Sequence, residues 1–212
     1  LSTNKVVLRN AVYQSVTPKE ILREKMFNYL DINLNRDENI VIVADSLNRP
    51  IENRLKEIFS SATILRPEIN GYLLPELVDS LLVDSLPNRV ILESDNFSLI
   101  SSVSAQMSAQ ISDLREVQLF TTYHGNVYEN GNLSRKQLGD LRFTFASGHF
   151  PLKKSEYSSF QERYIEAFGK PPNREAIRAY DLTLDFLLRF AYRGGVDNID
   201  QIGETEYQEN RF

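Results

Sequence analysis

Residues 39–44 read Asn-Ile-Val-Ile-Val-Ala. Successive side chains of a strand point to opposite faces, so a strand half-exposed to water alternates apolar with polar. This run is apolar on both sides. It therefore belongs inside a sheet covered on two faces, the setting of parallel strands. Ala62–Leu65, Arg89–Glu93 and Val117–Thr121 repeat the pattern, and Lys5–Arg9 is a short β-branched run that makes a fifth strand. Helical stretches lie between them. Thr17-Pro18-Lys19-Glu20 reads as N-cap, N1 proline and N3 glutamate of a helix with Ile21, Leu22, Met26, Phe27 and Leu30 on one face. Pro50–Phe59, Leu73–Val83 and a stretch from Asn96 or Phe97 to Ala109 follow as helices. Strands alternating with helices of this length build βαβ units and a right-handed, doubly wound parallel sheet, so the expected class is α/β.

After Thr122 the pattern changes. Tyr123–Leu133 is rich in Gly and Asn and reads as a long loop, and Leu141–Ala146 alternates like a strand. Two long helices are expected at Ser155–Phe168 and Asn173–Arg193, joined by Gly169–Pro172. The first presents Tyr157, Phe160, Tyr164, Ile165 and Phe168 for burial; the second presents Ile177, Tyr180, Leu184, Leu187, Leu188 and Ala191. Gly194-Gly195 reads as the C-cap, and 196–212 as a polar tail.

At 212 residues the chain makes one large domain or two small lobes. A net charge of −5 carries no basic footprint for nucleic acid. With no cysteine there is no disulfide framework, thiolate metal site or cysteine nucleophile. No apolar run approaches the ~18 residues of a membrane span. The chain starts at Leu1 and stops at 209–212 without a finishing element, and is expected to be a piece of a longer protein.

Chemistry-bearing residues are sparse. Asp45 follows a buried strand, where open α/β sheets place ligand groups, but Asp-Ser is equally good capping chemistry. Ser94-Asp95-Asn96 divides the same way, between a polar ligand contact and an N-cap cluster. His124 lies in the loop beyond another strand end, while His149 sits where the chain breaks after Ser147. Neither imidazole has a metal-ligand neighbour at helical spacing. No Gly-x-Ser-x-Gly elbow is present. No glycine-rich loop follows a strand, so NAD, FAD and ATP lack their phosphate cradle and no cofactor is expected.

The segment from Phe160 through Tyr164, Phe168-Gly169-Lys170-Pro171-Pro172-Asn173 and Ala176 to Ala179-Tyr180-Asp181 resembles type I periplasmic binding proteins of the branched-chain amino acid receptor group. In those proteins a helix ends at Phe-Gly-x-Pro-Pro and the next carries Ala-Tyr-Asp. The strand–helix alternation before it is similar to that family's second lobe. A nearer likeness is to bacterial envelope proteins joining a LysM peptidoglycan-binding region to such a domain.

The resemblance implies a second, Rossmann-like lobe over 11–142. Residues 1–10 and 143–195 become crossover segments and helices of an incomplete first lobe. It implies a non-catalytic ligand-binding or sensing domain, periplasmic or outer-membrane-associated, in the setting of a lipoprotein. The ligand would be a small polar, amino-acid-like or peptidoglycan-derived molecule in an interlobe cleft. The family's contact loops fall here on Asp45 and Ser46, on Ser94, Asp95 and Asn96, and on Thr122, Tyr123 and His124, with Tyr180 as an aromatic near the hinge. Two departures stand out. The loop at 122–125 has no carboxylate for a ligand ammonium, and Asp45-Ser-Leu-Asn replaces an Asp-x-x-Tyr-Gly pattern. They open an alternative, a vestigial-cleft scaffold contacting other envelope or peptidoglycan-synthesis proteins. Apolar faces on helices 155–168 and 173–193 imply a homodimer if nothing else covers them.

Overall fold

Apolar residues on both faces of β1 (Asn39–Ala44) require cover from two sides, and the computed structural model supplies it. The structure describes residues 16–67, 71–148, 158–193, 203 and 205–207. The chain divides into two units, Pro18–Ala146 and a second formed by Leu1–Thr17 with Ser147–Phe212.

The unit Pro18–Ala146 is α/β. Its elements run α1 (Lys19–Asn33), β1, α2 (Arg49–Ile58), β2 (Thr63–Leu65), α3 (Pro75–Leu81), β3 (Asn88–Glu93), α4 (Phe97–Ala109), β4 (Val117–Phe120) and α5 (Arg135–Asp140). Two 3-10 turns, Ser46–Asn48 and Asn126–Glu129, follow β1 and β4. All strands pair in parallel in the order β2-β1-β3-β4, with Val41 opposite Val90 and Val90 opposite Leu119. Alternation then sorts the side chains. Val41, Val43, Val90, Leu92, Val117 and Leu119 pack with Val78 of α3 and with Leu99, Val103 and Met107 of α4. Ile40, Ile42, Ala44, Ile91 and Phe120 pack with Met26, Phe27 and Leu30 of α1 and Leu55 of α2. Each Val, Leu, Ile, Met or Phe among them contributes about 1.5–3 kcal/mol when fully buried, so the two-faced pattern outweighs local preference.

Several boundaries differ from expectation. Pro18 stays extended at ψ 143°, so α1 starts at Lys19 without a side-chain cap. Thr17 packs instead on Gly148, its Oγ1 3.0 Å from where a Cβ there would lie. Leu141–Ala146 is not a strand. Arg142 turns the chain through φ 47°, and only Thr144 bridges to Phe120 beside β4. The short α5, capped by Ser134, was not expected. The fifth strand at Lys5–Arg9, His149, Tyr157 and the Gly194-Gly195 cap lie outside the described residues.

In the second unit α6 (Ser159–Phe168) starts at a capping box between Ser158 and Gln161 and ends at Gly169, left-handed at φ 68°. Then comes α7 (Arg174–Arg193). Its face differs from the expected one. Ile177 is buried, but so are Asp181, Asp185 and Arg189, while Tyr180, Leu187 and Leu188 are exposed. The polar burial is satisfied. Arg189 Nε donates to Asp185 at 2.7 Å, Arg189 Nη2 to the Gly203 carbonyl and Tyr207 Oη to Asp185. On α6, Phe168 is exposed rather than buried.

Candidate functional site

The strand order reverses between β1 and β3, since β2 lies on one side of β1 and β3 on the other. In open parallel sheets the loops at such a point diverge and leave a crevice at the carboxyl ends. Here those loops begin at Asp45 and Ser94, and Ser94 Oγ donates to Asp45 Oδ2 at 2.6 Å.

Both residues also hold their own loops. Asp45 Oδ1 accepts from the Leu47 and Asn48 backbone N–H groups and from Asn48 Nδ2, capping the 3-10 turn. Ser46 is exposed in that turn. The Asn96 N–H donates to Ser94 Oγ, and Asn96 Oδ1 caps α4 by accepting from Ser98 and Leu99. Asp95 stays exposed. Its Oδ1 would lie 3.4 Å from a Cβ at Gly125, so the 94–96 loop meets the loop after β4. The capping alternative thus describes Asp45 and Asn96 well, and Asp95 is the acidic group left facing solvent.

The third loop is anchored by a residue that sequence reading passed over. Glu93 ends β3 and is buried. Its Oε1 accepts from the Thr122 N–H at 2.5 Å and from Thr121 Oγ1 at 3.4 Å. Arg23 of α1 reaches Glu93 Oε2 with Nη2 at 3.5 Å. Burial raises the Glu93 carboxyl above the ordinary carboxylate value, against the pull of the Thr122 N–H and Arg23. The only signal in the sequence was a glutamate closing an apolar run, which reads equally as a strand leaving the core.

Tyr123 lies under two cations, with Lys19 Nζ 4.6 Å and Arg23 Cζ 6.0 Å from its ring centre. Lys19 and Arg23 are four apart on α1 and so share a face. His124 stacks on Phe145 at 4.1 Å and on Tyr128 at 5.2 Å, and its Nε2 lies 3.7 Å from Glu129. Tyr128 is buried in the 3-10 turn. Burial is the main reason its hydroxyl is raised above its ordinary value; the carboxylates of Glu93 and Asp95 raise it further, while the nearby Thr121 hydroxyl pulls the other way.

Eight of the nine expected contact residues therefore lie on three loops of one unit, at one edge of one sheet. Tyr180 lies on α7 in the other unit, stacked on Phe160 at 4.0 Å. Among the described residues no three His, Asp or Glu side chains gather as a metal site, and no helix is long and apolar enough to cross a membrane. Compared with protein-family models the chain has no match, and compared with curated proteins it has none either.

Proposed function

We propose that this chain is a non-catalytic ligand-binding or sensing domain of a bacterial cell-envelope protein. Its Pro18–Ala146 unit acts as the doubly wound second lobe of a type I periplasmic-binding-protein fold. The carrying observation is the meeting of the loops after β1 and β3 at 2.6 Å, where the strand order reverses, with the loop after β4 tied to them through Glu93. The motif from Phe160 to Asp181 supports the family reading. The ligand is a small polar, amino-acid-like or peptidoglycan-derived molecule. Calorimetry against amino acids, small amides and muropeptides tests this, and silence from all three classes removes it.

A second reading, an interaction scaffold, is favoured by α7. Leu182, Phe186, Leu187, Leu188, Phe190 and Tyr192 are all exposed there, between 38% and 78%. An amphipathic helix ordinarily turns its apolar side inward, whereas α7 buries Asp181, Asp185 and Arg189 and leaves these apolar side chains outside. Under this reading α7 pairs two copies of the chain or meets another envelope protein. Light scattering giving a monomer, with no partner captured in a pull-down, counts against it.

A further inference from the structure

A groove of about 360 Å³ opens between Tyr72 and the outer face of α4. That volume lies at the small end of the roughly 300–1,000 Å³ typical of small-molecule sites. Tyr72 and Phe97 line it with aromatic rings, and Ser98, Ser101, Ser102 and Ala105 line it from α4. Tyr72 is 57% exposed, yet both of its neighbours are anchored. Gly71, left-handed at φ 72°, packs so closely that a Cβ there would lie 2.9 Å from Asn96 Nδ2. Leu73 is buried, and its carbonyl accepts from Gln106 Nε2 of α4 at 2.7 Å. An exposed ring held from both sides is pre-organised for contact, which lowers the entropy cost of binding. The serines of α4 point the same way. The helix carries five in 13 residues, although serine is a poorer helix former than alanine. Buried Ser104 donates back to the Ile100 carbonyl at 2.7 Å. The half-buried Ser98 and Ser101 hydroxyls, by contrast, make no hydrogen bond among the described residues. Ser102 Oγ accepts from Gln106 Nε2 at 2.9 Å and keeps its own hydrogen to donate.

We propose that this groove binds a neutral sugar ring, packed on Tyr72 and Phe97 and hydrogen-bonded by the hydroxyls of Ser98, Ser101 and Ser102. It is a separate site from the loops after β1, β3 and β4, because none of its lining residues belongs to them. The chemistry of the lining selects the ligand. No residue in it is charged, so an ionised group entering the groove would lose water without gaining a counter-charge. A wholly apolar ligand, or the apolar face of a partner helix, would cover the serine hydroxyls and leave them unsatisfied. A pyranose meets both demands. Its C–H face is apolar, with slightly positive hydrogens that suit the negative face of an aromatic ring. Its hydroxyls each donate and accept, as do those of the three serines.

The test uses the full 212-residue chain. Glucose and cellobiose are the neutral probes; glucuronate and glucosamine carry a negative and a positive charge on the same ring. Calorimetry measures affinity, and backbone amide NMR locates it. Both neutral sugars should give saturable shifts at residues 71–73 and 98–106, and the charged sugars should bind more weakly. Tyr72→Ala should weaken cellobiose binding at least tenfold, while Tyr72→Phe should stay within about twofold of the parent. Ser101→Ala should weaken it roughly fivefold, the loss of one hydrogen bond, without lowering the melting temperature, since alanine is the better helix former. Unchanged affinity in both Tyr72→Ala and Ser101→Ala overturns the inference. So does tighter binding of glucuronate or glucosamine, or no saturable shift with either neutral sugar. Shifts confined to residues 45–46, 94–96 and 122–124 overturn it too, while supporting the ligand-binding reading above. Groove resonances that move with protein concentration alone assign the surface to a second copy of the chain and also overturn it.

Discussion

The backbone N–H of Thr122 donates to the Glu93 carboxylate at 2.5 Å, tying the chain just beyond β4 to the end of β3. A buried carboxylate so placed holds the loop bearing Tyr123 and His124 against the sheet. It also brings α1 over that loop through Arg23. One charge thereby organises three elements, at the cost of its own desolvation.

That cost gives a pH dependence. Because burial raises Glu93 above its ordinary value of 4.5, the folded protein keeps a proton that the unfolded chain has released. Stability then falls as pH rises from about 4.5 through the raised value. Glu93→Gln is neutral throughout, and should be more stable than the parent at pH 8 with the advantage vanishing near pH 4. Urea denaturation at both pH values measures this. A variant less stable at pH 8 would show that the Arg23 pair outweighs burial.

Asn88 should be the costliest polar residue to remove. It is fully buried, and its Oδ1 accepts from Asn39 Nδ2 and the Val83 N–H. Its Nδ2 donates to the carbonyls of Val83, Leu86 and Glu116. Asn88→Ala leaves those groups unsatisfied at the amino edge of the sheet and should cost about 2–4 kcal/mol in chemical denaturation.

Asn96→Ala tests the cap of α4, in which Asn96 Oδ1 accepts from the Ser98 and Leu99 N–H groups. Loss of the α4 cap should cost about 1 kcal/mol of stability. Urea denaturation of the variant beside the parent measures that loss.

Gly169→Ala tests the C-cap of α6. No atom within 4 Å would meet the added Cβ, so the cost comes from the left-handed backbone alone, about 1 kcal/mol. Gly169→Asn should cost less, because Asn tolerates this region better, and thermal melting ranks the two.

Much of the larger unit was legible because its signals are local and mutually consistent. The apolar run of β1, the proline in the first turn of α3 and the Asn96 cap of α4 each specify structure within a few residues. Leu141–Ala146 misled because alternation alone cannot tell a strand from a segment bridging through one residue after a left-handed Arg142. On α7 helical spacing located the helix, but ion pairing of Asp185 with Arg189 let polar side chains take the buried side.

Local pattern by itself determined that strands and helices alternate, that the sheet is covered on both faces, and that polar loops follow β1, β3 and β4. It could not rank those loop residues, because an Asp or Asn after a strand looks the same whether it caps a helix or awaits a ligand. Tertiary structure decided that ranking by bringing Arg23 to Glu93 across 70 positions of chain and Thr122 to Glu93 across 29. Burial and pairing between residues so far apart leave no periodic trace, because they depend on where strands lie side by side and not on what stands next in sequence.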